Sequence, residues 1–209
     1  MRIIREFFIT LLIAIVIFLG LQLSIKSFEV FNVSMLPTYR EGDLIIVNKL
    51  AYAFGNTPSR QDEIVFYAPG NGAKPSFDLF FTQHPSCFIK RVIGLPGDTV
   101  EIRNKQVYVN GVALREPYLN EAPNYTMPPQ QIPSGQYFVL GDNRNHSNDS
   151  HTGWLVPSEN IIGKVWFRYW PAGYPDIRYV MVPVFILVIA ALIIIMFIDV
   201  ARNTRNKAS

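Results

Sequence analysis

The sequence predicts a mainly β protein: an antiparallel β domain with irregular extended excursions, flanked by an N-terminal and a C-terminal transmembrane helix. Three observations carry that expectation. Two blocks of the 209-residue chain, Phe7–Ile25 and Tyr179–Ile198, are nearly charge-free, and each is long enough to cross a hydrocarbon core of about 30 Å as a helix. Between them lie short runs rich in Val, Ile, Phe and Tyr, punctuated by turn signals. No amphipathic helical pattern of convincing length separates those runs, which speaks against a parallel α/β sheet.

In chain order, residues 1–6 read as a cytoplasmic start and 7–25 as an uncleaved signal anchor. Arg2 and Arg5 supply the charged start of a signal peptide. The apolar stretch exceeds the usual 7–15 residues, however, and no A-x-A-like site follows in LQLSIKSFEV. Residues 179–198 form the second span and 199–209 a tail. Arg2 and Arg5 before the first span, and Arg202, Arg205 and Lys207 after the second, put both termini in the cytoplasm; Lys26 opposes this weakly. Residues 26–178 then lie on the extracytoplasmic face.

Within that segment the predicted strands are Asp43–Asn48, Glu63–Tyr67, Phe88–Ile93, Thr99–Arg103, Gln106–Val109, Gln136–Leu140 and Lys164–Trp170. Asn110-Gly111 in VYVNGVAL marks a type I′ hairpin, and Leu95–Asp98 (LPGD) a further turn. Ala68–Pro85 and Asn110–Pro133 read as irregular excursions.

Composition excludes several functions. The net charge of +3 and pI near 9.0 arise from scattered basic residues, some at the membrane flanks, so no nucleic-acid partner is expected. One cysteine, Cys87, rules out an intrachain disulfide framework, and three histidines with that cysteine do not make a zinc site. No metal and no cofactor is expected.

Chemistry enters with Ser34 in FNVSMLPTYREGD, Phe31–Asp43. A serine nucleophile needs a base and an oxyanion hole. No G-x-S-x-G elbow exists, and Ser86 precedes Lys90 by four residues, which does not fit S-x-x-K. A Ser-His-Asp triad using His84, His146 or His151 stays open on residue types alone. Three blocks then stand in order: Ser34-Met35-Leu36-Pro37-Thr38 with Gly42-Asp43; Lys90-Arg91 with Gly94, Pro96, Gly97 and Asp98; and Gly141-Asp142-Asn143-Arg144 with Ser147, Asp149 and Ser150. Together they resemble bacterial signal peptidase I, the membrane-bound leader peptidase family, across about residues 28–163.

The resemblance implies a Ser-Lys dyad with Ser34 as nucleophile and Lys90 as general base. It also implies Ser147 as the residue orienting the lysine amine, Asp149 as the acid that holds the loops, and an oxyanion hole using the Ser34 backbone N–H. Some members have a serine two residues before the nucleophile; here Asn32 could donate instead. Asp142 and Arg144 are near enough in sequence to pair. A free lysine has a pKa of about 10.4, so Lys90 must be desolvated to act as a base; Phe88 and Val92, on its face by strand alternation, would do this. Phe28, Val30, Met35, Phe88 and Ile89 are the candidate pocket walls. Where the family continues D-S-R this chain has His151, which pairs with a carboxylate as a cation only when protonated. The carboxy-terminal span is a further departure.

The implied activity is membrane-bound endopeptidase cleavage of signal peptides after small-x-small sites, typically Ala-x-Ala. The implied location is the bacterial cytoplasmic membrane. Partners would be preprotein signal peptides, the lipid bilayer and the secretion translocon. Two alternatives stand beside this: a specialised Ser-Lys peptidase for one dedicated membrane, pilin or conjugation precursor, and a catalytically silent membrane-tethered β-domain assembly factor.

Overall fold

The computed structural model describes residues 2–68 and 87–173. The second expected span and most of the first excursion lie outside them. Helix α1 runs Arg2–Ser24 and leaves Phe8, Leu12, Val16 and Leu23 exposed. Among the described residues no helix is long and apolar enough to cross a membrane.

Eleven strands follow among the described residues: β1 (Ile25–Glu29), β2 (Leu44–Asn48), β3 (Glu63–Tyr67), β4 (Cys87–Gly94), β5 (Thr99–Arg103), β6 (Gln106–Val109), β7 (Val112–Ala113), β8 (Met127–Gln131), β9 (Gln136–Leu140), β10 (Val156–Pro157) and β11 (Ile161–Trp170). They form a seven-stranded sheet, ordered β1-β2-β11-β3-β4-β9-β10, and a four-stranded sheet, ordered β7-β6-β5-β8. Every pairing is antiparallel. The mainly antiparallel β class expected from the alternating apolar runs is therefore what the chain adopts. Asn110 (φ 53°) and Gly111 (φ 78°) make the expected hairpin between β6 and β7, and Gly97 (φ 89°) makes the LPGD turn.

Three strands go beyond those expected, β1, β8 and β10, while β7 is the far arm of the expected hairpin. The stretch Asn110–Pro133, read as an irregular excursion, contains β7 and β8. Strand β8 has the sequence MPPQQ, and it lies at the edge of its sheet, where Pro128 and Pro129 need not donate to a second neighbour. The register against β5 slips between Val100 and Ile102, opposite those prolines. Strand β10 pairs Val156 and Pro157 with Tyr137 and Gln136 of β9, and β1 follows α1 without a linker. Its residues are half-buried with no clean alternation, so it is defined by pairing with β2 from Ile25↔Asn48 to Glu29↔Leu44.

Three apolar clusters hold the sheets. Ile93, Val100, Ile102, Val107, Phe138 and Leu140 join the two sheets. Val30, Met35, Ile45, Val47, Val65 and Val165 pack together beside β1, β2 and β11. Ile64, Phe66, Val92, Tyr137, Val139 and Val156 fill the remaining space along β3, β4 and β9. Strand β4 touches all three, because its successive side chains alternate faces. It is the rail on which the site is built.

Candidate active site

Register brings the three sequence blocks together. Lys90 lies in β4 opposite Ile64 of β3, and its neighbour Arg91 lies opposite both Glu63 and Leu140. Leu140 ends β9, so the third block begins beside the second. The first block is tied to the third by the Asn143 backbone N–H, which donates to Ser34 O at 3.0 Å, and by Asn143 Nδ2, which donates to Val33 O at 3.0 Å. The Ser34 loop is closed at its base by Val30 N–H to Asp43 O and Gly42 N–H to Val30 O, both 2.8 Å. Buried Asp43 accepts from Arg40 N, Ala172 N and Arg168 Nη1 and so anchors that loop to the end of β11.

Lys90 Nζ is 2.7 Å from Ser34 Oγ and donates at 3.0 Å to Ile89 O. Ser34 is 5% exposed and Lys90 3%. Burial drives the Lys90 pKa from the ordinary 10.5 down to about 8, against the opposing pull of the Asp149 and Asp142 carboxylates. The Phe88 ring, 5.5 Å from Nζ, supplies part of the apolar surround. A lysine so placed can be neutral near physiological pH and can accept a proton from the hydroxyl it touches.

The supporting residues are arranged differently from expectation. Ser147 Oγ is buried but has no hydrogen-bond partner, so the expected bond to the lysine amine is not formed; Nζ is occupied by Ser34 and Ile89. Asn32 has positive φ (81°), and its Oδ1 accepts from the Ser34 backbone N–H at 3.0 Å. The N–H expected to face an oxyanion is thus covered by a side-chain carbonyl. Asp149 is fully buried; Oδ2 accepts from Gly141 N at 2.9 Å, and Oδ1 meets His151 Nδ1 at 2.6 Å. His151 in turn stacks on Tyr125, with centroids 4.2 Å apart.

Asp142 and Arg144 do not pair with each other. Asp142, 1% exposed, forms a bidentate pair with Arg91 (Nε–Oδ1 2.8 Å, Nη2–Oδ2 2.7 Å) and accepts from the Thr38 hydroxyl. Arg91 also donates to Glu63 and to Gln61 O. Burial opposes the charge on Arg91, but the Asp142 and Glu63 carboxylates outweigh it and push its pKa up. Arg144 pairs with Glu116 from the excursion and donates to Gly141 O. Sequence reasoning missed Glu116 and Tyr118, whose ring covers Arg91 at 3.9 Å; a lone Glu and Tyr in a loop carry no periodic signal.

Of the five candidate pocket residues, Val30 and Met35 are fully buried, and Phe28 and Ile89 pack half-buried on the same cluster. Phe88 belongs to a different cluster, edge-on to Phe66 and tilted against Trp154. Among the described residues no group of three or more His, Cys, Asp or Glu is placed to hold a metal ion.

Comparison with known proteins gives these arrangements a context. The family described as "Signal peptidase, peptidase S26" matches residues 1–170. The chain is 47% identical over 140 residues to a probable signal peptidase I-1 of Synechocystis sp., covering 67% of this chain and 68% of that protein. It is 42% identical over 168 residues to a signal peptidase I of Leptolyngbya laminosa, covering 78% of each. A crystal structure of a signal peptidase I from Enterococcus faecalis superposes with a TM-score of 0.43 at 35% identity, covering 53% of this chain and 97% of that one.

Proposed function

Because the chain belongs to the signal peptidase family, peptidase S26, and is a serine peptidase hydrolase, we propose that it cleaves signal peptides from preproteins with Ser34 as nucleophile and Lys90 as base. The observation that carries this reading is the 2.7 Å contact between Nζ and Oγ in a buried, apolar setting. With the amine neutral, the contact runs from hydroxyl to amine. Oγ then attacks the scissile carbonyl carbon while its proton passes to Nζ. The resulting ammonium protonates the leaving amine, the C–N bond breaks, and an acyl-enzyme ester remains. Neutral again, Lys90 takes a proton from water, whose oxygen attacks the ester; the ammonium returns that proton to Oγ as the ester C–O bond breaks, restoring the Ser34 hydroxyl.

The oxyanion needs donors as its charge develops. Asn32 is exposed, so its carboxamide can turn away from Ser34 N–H, leaving that group for the oxyanion and bringing Nδ2 around as a second donor. The buried, unpartnered Ser147 hydroxyl lies beside the Gly141–Ser34 contact, and its role in this reading is to hold the amine once Ser34 Oγ is acylated. Phe28 and Ile89, over a floor of Val30 and Met35, would line shallow pockets for the small side chains of an Ala-x-Ala site.

The substrate's hydrophobic segment resides in a bilayer, so the site should stand at a membrane surface. Helix α1 supports this. Its 23 residues extend roughly 35 Å at the α-helical rise, and its exposed apolar side chains favour lipid over water. Trp166, 66% exposed, and Phe167 lie on β11, separated by β2 alone from the strand that α1 enters, a placement suited to a membrane interface. This reading puts the β domain on the extracytoplasmic face of a bacterial cytoplasmic membrane, with both termini inside.

The test is cleavage of an Ala-x-Ala preprotein in detergent by wild type, Ser34→Ala and Lys90→Ala from pH 5 to 10. Wild type should release the signal peptide and both variants should not. Near-normal cleavage by purified Lys90→Ala would overturn the assignment.

A further inference from the structure

The segment Leu114–Tyr125 has no strand or helix, yet it touches the support of the Ser34–Lys90 pair at four places. The Tyr118 ring lies 3.9 Å from the Arg91 guanidinium carbon. Glu116 holds the fully buried Arg144 through both carboxylate oxygens and accepts from the Tyr118 hydroxyl at 2.8 Å. Asn145 Nδ2 donates to Ala122 O and to Glu121 Oε2, while Asn145 Oδ1 accepts from Asn124 N. Tyr125 stacks on His151, the partner of Asp149. At its start, Arg115 O accepts from Gln61 Nε2 at 2.9 Å.

These contacts converge on two residues. Arg144 Nε donates to Gly141 O, and Gly141 lies so close to Ser34 O and Ser147 that a Cβ there would overlap both. Arg91 adjoins Lys90 in β4 and clamps Asp142, which also accepts from Thr38 in the Ser34 turn. Both arginines are buried or nearly so, and each has one side closed by the segment. A loop held only for its own stability would spend its polar contacts on itself or the nearest sheet. Besides the Tyr118–Glu116 bond within it, this one directs its polar contacts to Arg144 and Asn145 of the third block and to Gln61, whose carbonyl Arg91 holds. It also lays the Tyr118 ring over Arg91.

Resting on the reading that Ser34 and Lys90 do the chemistry, we propose that Leu114–Tyr125 is a positioning strap. Through Glu116 and Tyr118 it holds Arg144 and Arg91, and with them the Gly141 loop and β4, so that Lys90 stays dry and aimed at Ser34. Glu116 and Tyr118 are positioning residues; neither touches the reacting atoms. Loosening the strap admits water to the amine, which restores its preference for the charged form. One unit of rise in the lysine pKa removes about nine-tenths of the neutral amine below its titration midpoint, hence a loss of about tenfold in turnover there.

The experiment uses the full chain in detergent with Glu116→Gln, Tyr118→Leu and Tyr118→Phe. Preprotein cleavage by wild type tests the functional reading separately. The strap is read on Lys90 itself, from the pH dependence of its labelling by a trace amine-acylating reagent, quantified by mass spectrometry and compared with kcat and KM. In Glu116→Gln and Tyr118→Leu the labelling midpoint should rise by about one unit and kcat at pH 7 fall by about tenfold, with KM held within about twofold. Tyr118→Phe keeps the ring over Arg91 and should recover most of that loss. Should Glu116→Gln fail to fold because it leaves the Arg144 charge unpaired, Tyr118→Leu, which uncovers no unpaired charge, carries the test alone. A wild-type Lys90 midpoint and wild-type kcat alongside a lowered melting temperature would reduce the strap to a merely structural loop and overturn the proposal.

Discussion

Arg91 and Asp142 form a buried bidentate ion pair that crosses from β4 to the end of β9, one residue from Lys90 on one side and one from Gly141 on the other. Because Thr38 also donates to Asp142, the pair ties together all three blocks of the site. It is a junction, and its removal should be felt at every one of them.

Asp142→Ala leaves the Arg91 charge buried with Glu63 as its remaining carboxylate partner. Breaking one side of a buried pair costs about 3–5 kcal/mol. The expected outcome is a large fall in melting temperature together with loss of cleavage. Asp142→Asn, which keeps the shape and one acceptor, should fall between. A melting curve for Asp142→Ala matching wild type would show that the pair is dispensable.

Gly141→Ala should abolish activity with a smaller loss of stability. Its Cβ would overlap Ser34 O and the Ser147 side chain, and backbone atoms of the Ser34 turn cannot yield without moving Oγ. Activity with the preprotein, alongside circular dichroism to verify folding, measures this. Retention of more than about half the wild-type rate would mean the turn gives way freely.

The rate should rise with pH through about 8, where Lys90 loses its proton, and level above it. Stability has the same direction. A lysine whose pKa is lowered on folding binds fewer protons folded than unfolded between pH 8 and 10.5, so unfolding free energy rises with pH across that window. Below pH 8 the cost is fully present, about 3 kcal/mol for the depression from 10.5 to about 8. Lys90→Met should therefore be inactive yet melt higher than wild type at pH 7. A lower melting temperature for that variant would count against the desolvation account.

His151→Ala should lower both the melting temperature and the cleavage rate, because it removes the Nδ1 contact to the fully buried Asp149 carboxylate and the ring stacked on Tyr125. The comparison is the melting temperature and preprotein cleavage of variant and wild type under one set of conditions. Unchanged values of both would remove His151 from the support of the site.

Much of this architecture was legible in the sequence. Seven strands were marked by β-branched and aromatic runs, and the Asn110-Gly111 hairpin by residues that tolerate positive φ. Ser34 and Lys90 were recognisable through the blocks around them. What eluded a linear reading depended on neighbours distant in the chain. Strand β1 exists because β2 pairs along its full length, and β8 tolerates two prolines because its outer edge is open. The chain's own pattern thus determined the β class, the apolar helix α1 and the turns, since these follow from local propensity and periodicity, whereas the candidate site residues came from the resemblance of three sequence blocks to a known family.

Tertiary structure alone decided the partnerships. Asp142 chose Arg91 over nearby Arg144, Glu116 reached Arg144 from the excursion, and Asn32 covered the Ser34 N–H that was expected to be open. Charge pairing and desolvation depend on distance and burial, and both are set by how β4 and β9 are brought into register rather than by spacing along the chain.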